Sequence, residues 1–135
     1  MGTALRARLS PNHKYYIDSH RYYEVKHFCM QYNLWKQAYG ELDGLSTCED
    51  RESELDHDDR TYTIAVKRLT YLDKMQLVEQ TAIAADSNIH SYILKGVTEG
   101  RSYNYLKTVL NIPCGKDLYY DRYRRFFWLL DKNKD

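Results

Sequence analysis

Proline occurs only twice in this chain of 135 residues, at Pro11 and Pro113. Everything between those two positions lacks the one residue that must kink or stop a helix. Glycine is also sparse, at six. Within that uninterrupted stretch, apolar side chains recur at steps of three and four. Tyr22, Val25, Cys29, Tyr32, Trp35, Tyr39 and Leu42 form one such stripe, with Asp18 or Ser19 as the residue that caps the helix start near His20. Gly40 and Gly44 are expected to end this helix. Ala65, Leu69, Leu72, Met75, Val78, Ala82 and Ala85 form a second stripe, and the two helices are expected to pair as an antiparallel hairpin or coiled coil. Between them, Ser46 to Arg60 is acidic and almost devoid of apolar residues, and reads as a flexible connector over 44–60. Residues 1–14 show no periodicity and read as a mobile basic arm.

The last third of the chain carries a different signal. Asp86 or Ser87 offers a new cap, Ile89, Tyr92, Ile93 and Val97 an apolar face, and Gly100 the left-handed closing residue. Ser102 sits where the next cap belongs, before a two-turn helix with Tyr103, Leu106, Val109 and Leu110 inward. Asn111 tolerates a left-handed conformation, Ile112 is an apolar plug for the angle between helices, and Pro113 with Cys114-Gly115 forces a fresh start. The final helix, about Lys116 to Asp131, turns Tyr119, Tyr123, Phe126, Phe127 and Leu130 to one side. Asp117, Asp121, Arg124, Arg125 and Trp128 are expected to point away, with Tyr120 and Arg122 on the flanks. A short helix, a tight turn and a basic aromatic helix form the layout of a helix-turn-helix, whose second helix enters the DNA major groove. On this reading Lys116 and Tyr120, with Arg124 one turn on, reach base edges. Arg101, Ser102, Lys107, Arg122 and Arg125 complete the nucleic-acid-binding set, the cations among them contacting phosphates.

Charge is distributed in keeping with that reading. The formal net charge is +1, but residues 1–36 carry six basic and two acidic residues, 37–100 six basic and thirteen acidic, and 101–135 eight basic and four acidic. Basic ends around an acidic middle suit a local footprint on a polyanion better than the near-neutral total suggests. The fourteen tyrosines fit thin cores, interfaces and phosphate contacts.

Several segments resemble small prophage proteins of Gram-positive bacteria. They are Ile93-Leu-Lys-Gly-Val-Thr-Glu-Gly100 with the Arg-Ser-Tyr-Asn-Tyr-Leu that follows it, Asn111-Ile-Pro-Cys-Gly-Lys-Asp117, Tyr119-Tyr-Asp-Arg-Tyr-Arg-Arg-Phe-Phe127, and Tyr15-Tyr-Ile-Asp-Ser-His-Arg-Tyr-Tyr-Glu-Val-Lys-His-Phe28. These proteins are in turn similar to the RinA and ArpU type phage regulators, whose helix-turn-helix is like the promoter-reading part of sigma factors (sigma-70 region 4). The run Leu-Asn-Ile-Pro-x-Gly-Lys is close to the Leu-Gly-Ile-Ser-x-x-Thr of helix-turn-helix proteins, although Pro113, Gly115 and Asp117 depart from the Ser/Thr-rich turns of those regulators. The resemblance implies transcriptional control of phage late genes. Small terminase subunits also carry such units on helical oligomers, so DNA packaging is the rival, and a helical protein-interaction module the third reading.

Enzyme chemistry finds no footing in the residues. There is no phosphate-cradling glycine loop, Cys-x-x-Cys, His-Glu-x-x-His or Gly-x-Ser-x-Gly. His57 among Asp56, Asp58 and Asp59 matches no calcium loop, and His20, His27 and Cys29 read as packing and surface residues. No cofactor and no metal are expected. Cys29, Cys48 and Cys114, odd in number and widely spaced, read as reduced thiols. No signal peptide, myristoylation site or membrane span is expected. The combined expectation is an all-α protein in two parts: residues 1–87, the basic arm and long helical hairpin, and residues 88–135, the helix-turn-helix, joined as one compact domain. It works as a homo-oligomer on double-stranded DNA in the bacterial cytoplasm, associated with the nucleoid, with RNA polymerase as a further contact and no membrane.

Overall fold

A computed structural model describes residues 11–48 and 54–134, with side chains over 11–42 and 59–134. Among these residues every regular element is helical: α1 Ser19–Met30, α2 Tyr32–Cys48, α3 Glu54–Ala85, α4 His90–Glu99, α5 Tyr103–Thr108 and α6 Lys116–Asn133. No helix among the described residues is long and apolar enough to cross a membrane.

The first apolar stripe spans two helices. Gln31 interrupts them, at φ −87° and ψ −4°, with its N–H directed at the Cys29 and Phe28 carbonyls. Tyr22, Val25, Cys29, Tyr32 and Trp35 are all buried, so the three-four rhythm continues across the interruption. The helix does not stop at Gly40 or Gly44 but runs to Cys48, and the next begins at Glu54. The expected connector is therefore helical at 44–48 and 54–60, and its remainder, 49–53, lies outside the described residues. Local helix propensity explains this: Glu, Leu and Arg form helix at little cost, and a single glycine costs only about 1 kcal/mol.

The chain divides into two units, residues 1–31 with 77–135, and residues 32–76. This division follows different lines from a boundary at residue 87. In the second unit, Trp35 has Lys74 Nζ 5.7 Å from its ring centre, and the Tyr39 ring lies 4.9 Å from the Arg68 guanidinium carbon. Arg68 Nη2 also donates to the Tyr39 hydroxyl at 3.3 Å. Ile64 and Met75 are buried there, whereas Ala65 and Leu69 are exposed. The buried face of α3 thus runs Ile64, Arg68, Met75. An arginine occupies a core-facing position, its stem and guanidinium covering an aromatic ring.

In the first unit α1, α4 and α6 pack on one another, and α5 packs on α4. Val25, Cys29, Ile93, Leu106, Phe126 and Leu130 are sealed from solvent. Burial also pushes the Cys29 thiol well above its usual pKa, which keeps it protonated. The segment before α1 takes part as well: Tyr15 and Ile17 are buried, and the Tyr15 ring lies 5.6 Å from Trp128. Trp128 therefore does not stand free in solvent as its place on the helical wheel suggests. The rest of the expected mobile arm, residues 1–10, lies outside the described residues.

Candidate nucleic-acid interface

The local signals around α5 and α6 come from individual residues. Asp18 opens α1 by accepting the His20 N–H at 3.0 Å. Gly100 closes α4 at φ 69°, and Ser102 caps α5 by accepting the Tyr105 N–H at 3.3 Å. Asn111, at φ 58°, is the sole non-glycine residue with positive φ among those described. Ile112 behind it is buried, and its N–H donates to the Leu106 carbonyl at 3.1 Å. Residues 109–115 link α5 to α6, and the Tyr103 hydroxyl ties this link down by donating to the Cys114 carbonyl at 2.6 Å.

α6 is held on three sides. Its inner face is aromatic: Tyr119, Phe126 and Phe127 are buried, and Tyr22 meets Phe127 edge-on at 5.2 Å. The Tyr22 and Tyr123 hydroxyls lie 3.1 Å apart. Its C-terminal end is gripped by Arg21, which pairs with Asp131 and donates to the carbonyls of Asp131 at 3.3 Å and Lys134 at 2.6 Å. That cation satisfies carbonyls the helix leaves orphaned. The third tether is Arg122, bonded to Asp86.

The structure separates the expected site residues into two groups. Tyr120 is 7% exposed; its hydroxyl accepts the Tyr103 N–H at 3.3 Å and its ring packs, tilted or edge-on, among Tyr103, Tyr119 and Tyr123. It cannot reach a base edge, because the long side chain folds back over the start of α5. Arg122 donates from Nε to Asp86 Oδ2 at 2.9 Å and pairs with Asp121 through Nη1. Asp86 also accepts the N–H groups of Asn88 and Ile89 at 2.8 and 3.4 Å. Burial alone would raise the Asp86 pKa, but these donors outweigh it and hold the carboxyl below its usual value. Arg122 thus ties α6 to the α3–α4 turn.

The second group remains accessible. Arg101, Ser102, Lys107 and Lys116 are exposed, and Arg124 and Arg125 are half-buried. Arg101 rests on the Tyr105 ring at 4.2 Å and meets Glu99 at 3.3 Å. Arg124 Nε is buried without a hydrogen-bond partner, so this guanidinium is partly drawn in toward the protein. Asp117 shares the first turn of α6 with Lys116. Among the described residues no group of three or more His, Cys, Asp or Glu side chains gathers to hold a metal.

Sequence reasoning missed Lys26. It sits on α1 but lines the same recess as Arg101, Ser102 and Tyr120. Only the fold brings residue 26 beside residue 101. No family model, curated protein or solved structure matches this chain.

Proposed function

We propose that this chain is a phage-derived, DNA-binding transcriptional regulator in which α5, the 109–115 link and α6 act as a helix-turn-helix. The observation that carries the reading is the division of α6. One face is sealed by aromatic rings, while Lys116 in its first turn, and Lys107 on the preceding helix, stand exposed. The link is longer than the three to four residues of the common motif, and Asn111, Ile112 and Tyr103 fix its path.

On this reading Lys116 faces base edges, with Arg124 about two turns on. Arg101, Ser102, Lys107 and Arg125 contact the phosphate backbone. Tyr120 and Arg122 support the unit from within. The reading requires no chemical step, and places the protein on the nucleoid in the bacterial cytoplasm. The helices of residues 32–76, taken as an antiparallel arm, serve for homo-oligomer formation or polymerase contact.

A second reading, a helical interaction module, draws on one feature of that arm. Tyr62, Val66 and Leu69, spaced four and three apart on α3, are 73%, 45% and 58% exposed. A small-terminase-like packaging role combines both features, and ring-shaped oligomers in solution would favour it over regulation.

The test is fluorescence anisotropy on labelled duplex DNA over a salt series. Three cations (Arg101, Lys107 and Arg125) contacting phosphates would give a log–log slope of about −3. No binding at low salt, with self-association through α3 intact, would leave the interaction module standing.

A further inference from the structure

A recess of about 210 Å³ opens in the first unit, bounded by α1, α4, the 100–102 linker and α6. Its aromatic wall is formed by Tyr120, Tyr123 and Phe127. The Tyr123 hydroxyl meets Tyr22, and the Tyr120 hydroxyl accepts the Tyr103 N–H while keeping its own proton, so these rings offer mainly carbon faces, with one phenolic O–H still able to donate. Two of the lining residues are glycines that the fold needs as glycines. A Cβ on Gly96 would lie 2.2 Å from the Tyr119 hydroxyl, and Gly100 sits at φ 69°.

The charged residues lining this recess are both cations, Lys26 and Arg101. Lys26 has no carboxylate partner among the described residues, and its Nζ lies 5.9 Å from the ring centres of Tyr22 and Tyr23. Arg101 meets Glu99 through Nε and lies over the Tyr105 ring, while its terminal nitrogens make no hydrogen bond among the described residues. Ser102 Oγ accepts the Tyr105 N–H and retains a proton to donate. Cations and a hydroxyl beside an apolar wall form a composition that recognises an anion with an apolar body. The volume lies below the ~300–1,000 Å³ of drug-sized sites, which limits the occupant to about a dozen non-hydrogen atoms.

We propose that this recess binds a small organic monocarboxylate, its ring or chain against Tyr120, Tyr123 and Phe127 and its carboxylate directed to Lys26, Arg101 and Ser102. Such a ligand touches both the start of α5 and the middle of α6, and its binding does not depend on whether the protein reads DNA.

The experiment is an NMR titration of the full chain without DNA, using phenylacetate, its neutral amide phenylacetamide, and inorganic phosphate as probes. Phenylacetate is expected to give saturable shifts at the amides of Gly96, Gly100, Arg101 and Ser102. The neutral amide, and phenylacetate on a Lys26→Gln/Arg101→Gln variant, are each expected to bind about tenfold more weakly or worse. Met30→Trp, at a half-exposed lining position, is expected to block binding with both charges intact. Three results would overturn the proposal: no saturable shift with phenylacetate, equal binding of the neutral amide, or inorganic phosphate binding as tightly as phenylacetate.

Discussion

Arg122 Nε lies 2.9 Å from Asp86 Oδ2, joining the middle of α6 to the turn between α3 and α4. The Asp86 side chain is mostly buried and also receives two backbone N–H groups, so this carboxylate organises the turn and the long helix together. Asp86→Ala is expected to cost about 1.5–3 kcal/mol in chemical denaturation, because it strips charge-assisted hydrogen bonds from a buried site. Asp86→Ala and Arg122→Ala together should cost clearly less than the sum of the two single changes. Additive losses would show that the pair is not coupled.

The same carboxylate sets an acid limit. Its folded pKa is held below the ordinary aspartate value of 3.8, so its contribution is complete above the unfolded pKa and is lost as pH falls through the folded one. Stability measured from pH 6 down to pH 2 should fall less steeply in Asp86→Asn than in the parent over the acid end of that range. Identical acid profiles would exclude Asp86 as a contributor.

Gly96 and Tyr119 form a second coupled pair. The Tyr119 hydroxyl is buried, has no hydrogen-bond partner, and occupies the place a Cβ at residue 96 would need. Gly96→Ala should therefore destabilise the parent despite alanine's helix advantage of about 1 kcal/mol. With Tyr119→Phe the next ring atom is 3.5 Å from that Cβ, an ordinary contact. Gly96→Ala should then become neutral or stabilising. Tyr119→Phe alone should cost little, since it removes an unsatisfied polar atom. Thermal melts of the four proteins check the change of sign.

Asn111 at φ 58° holds the strained position in the α5–α6 link. Asn111→Gly should match or exceed the parent in stability, whereas Asn111→Val should lose about 1–2 kcal/mol. If valine is tolerated, the link does not hold this conformation in solution.

These residues also show where the sequence was legible. Asp18, Gly100, Ser102, Asn111 and Ile112 announce their roles because a cap, a left-handed residue or an apolar plug depends on local chemistry. The interruption at Gln31 leaves no such mark: neither proline nor glycine is present, and the apolar rhythm continues through it. The phase of α3 is hidden by Arg68, a charged residue on the buried face, which shifts a hydropathy stripe onto the exposed Leu69. The contacts of Tyr120 and Arg122 are hidden for a related reason. Helical spacing gives the direction of a Cβ, but the ends of long side chains go where Tyr103 and Asp86 receive them. Lys26 was out of reach, since its neighbours in the recess are distant in sequence.

The exposed cations should behave differently from these structural ones. Lys116→Ala should leave the melting temperature unchanged and weaken sequence-preferred DNA binding. Lys107→Ala should weaken binding evenly across sequences and reduce the salt slope by about 1. Arg124→Ala should likewise weaken sequence-preferred DNA binding. If both Lys116→Ala and Arg124→Ala bind DNA as the parent does, α6 is not the reading helix.

The most direct measurement is an NMR titration of the isotope-labelled protein with duplex DNA at low salt, following the backbone amides. The account predicts saturable shifts at Arg101, Ser102, Lys107, Lys116 and Arg125, with Tyr62, Val66 and Leu69 on α3 unmoved. Shifts confined to α3, or none at DNA concentrations where nonspecific binding should saturate, would contradict it.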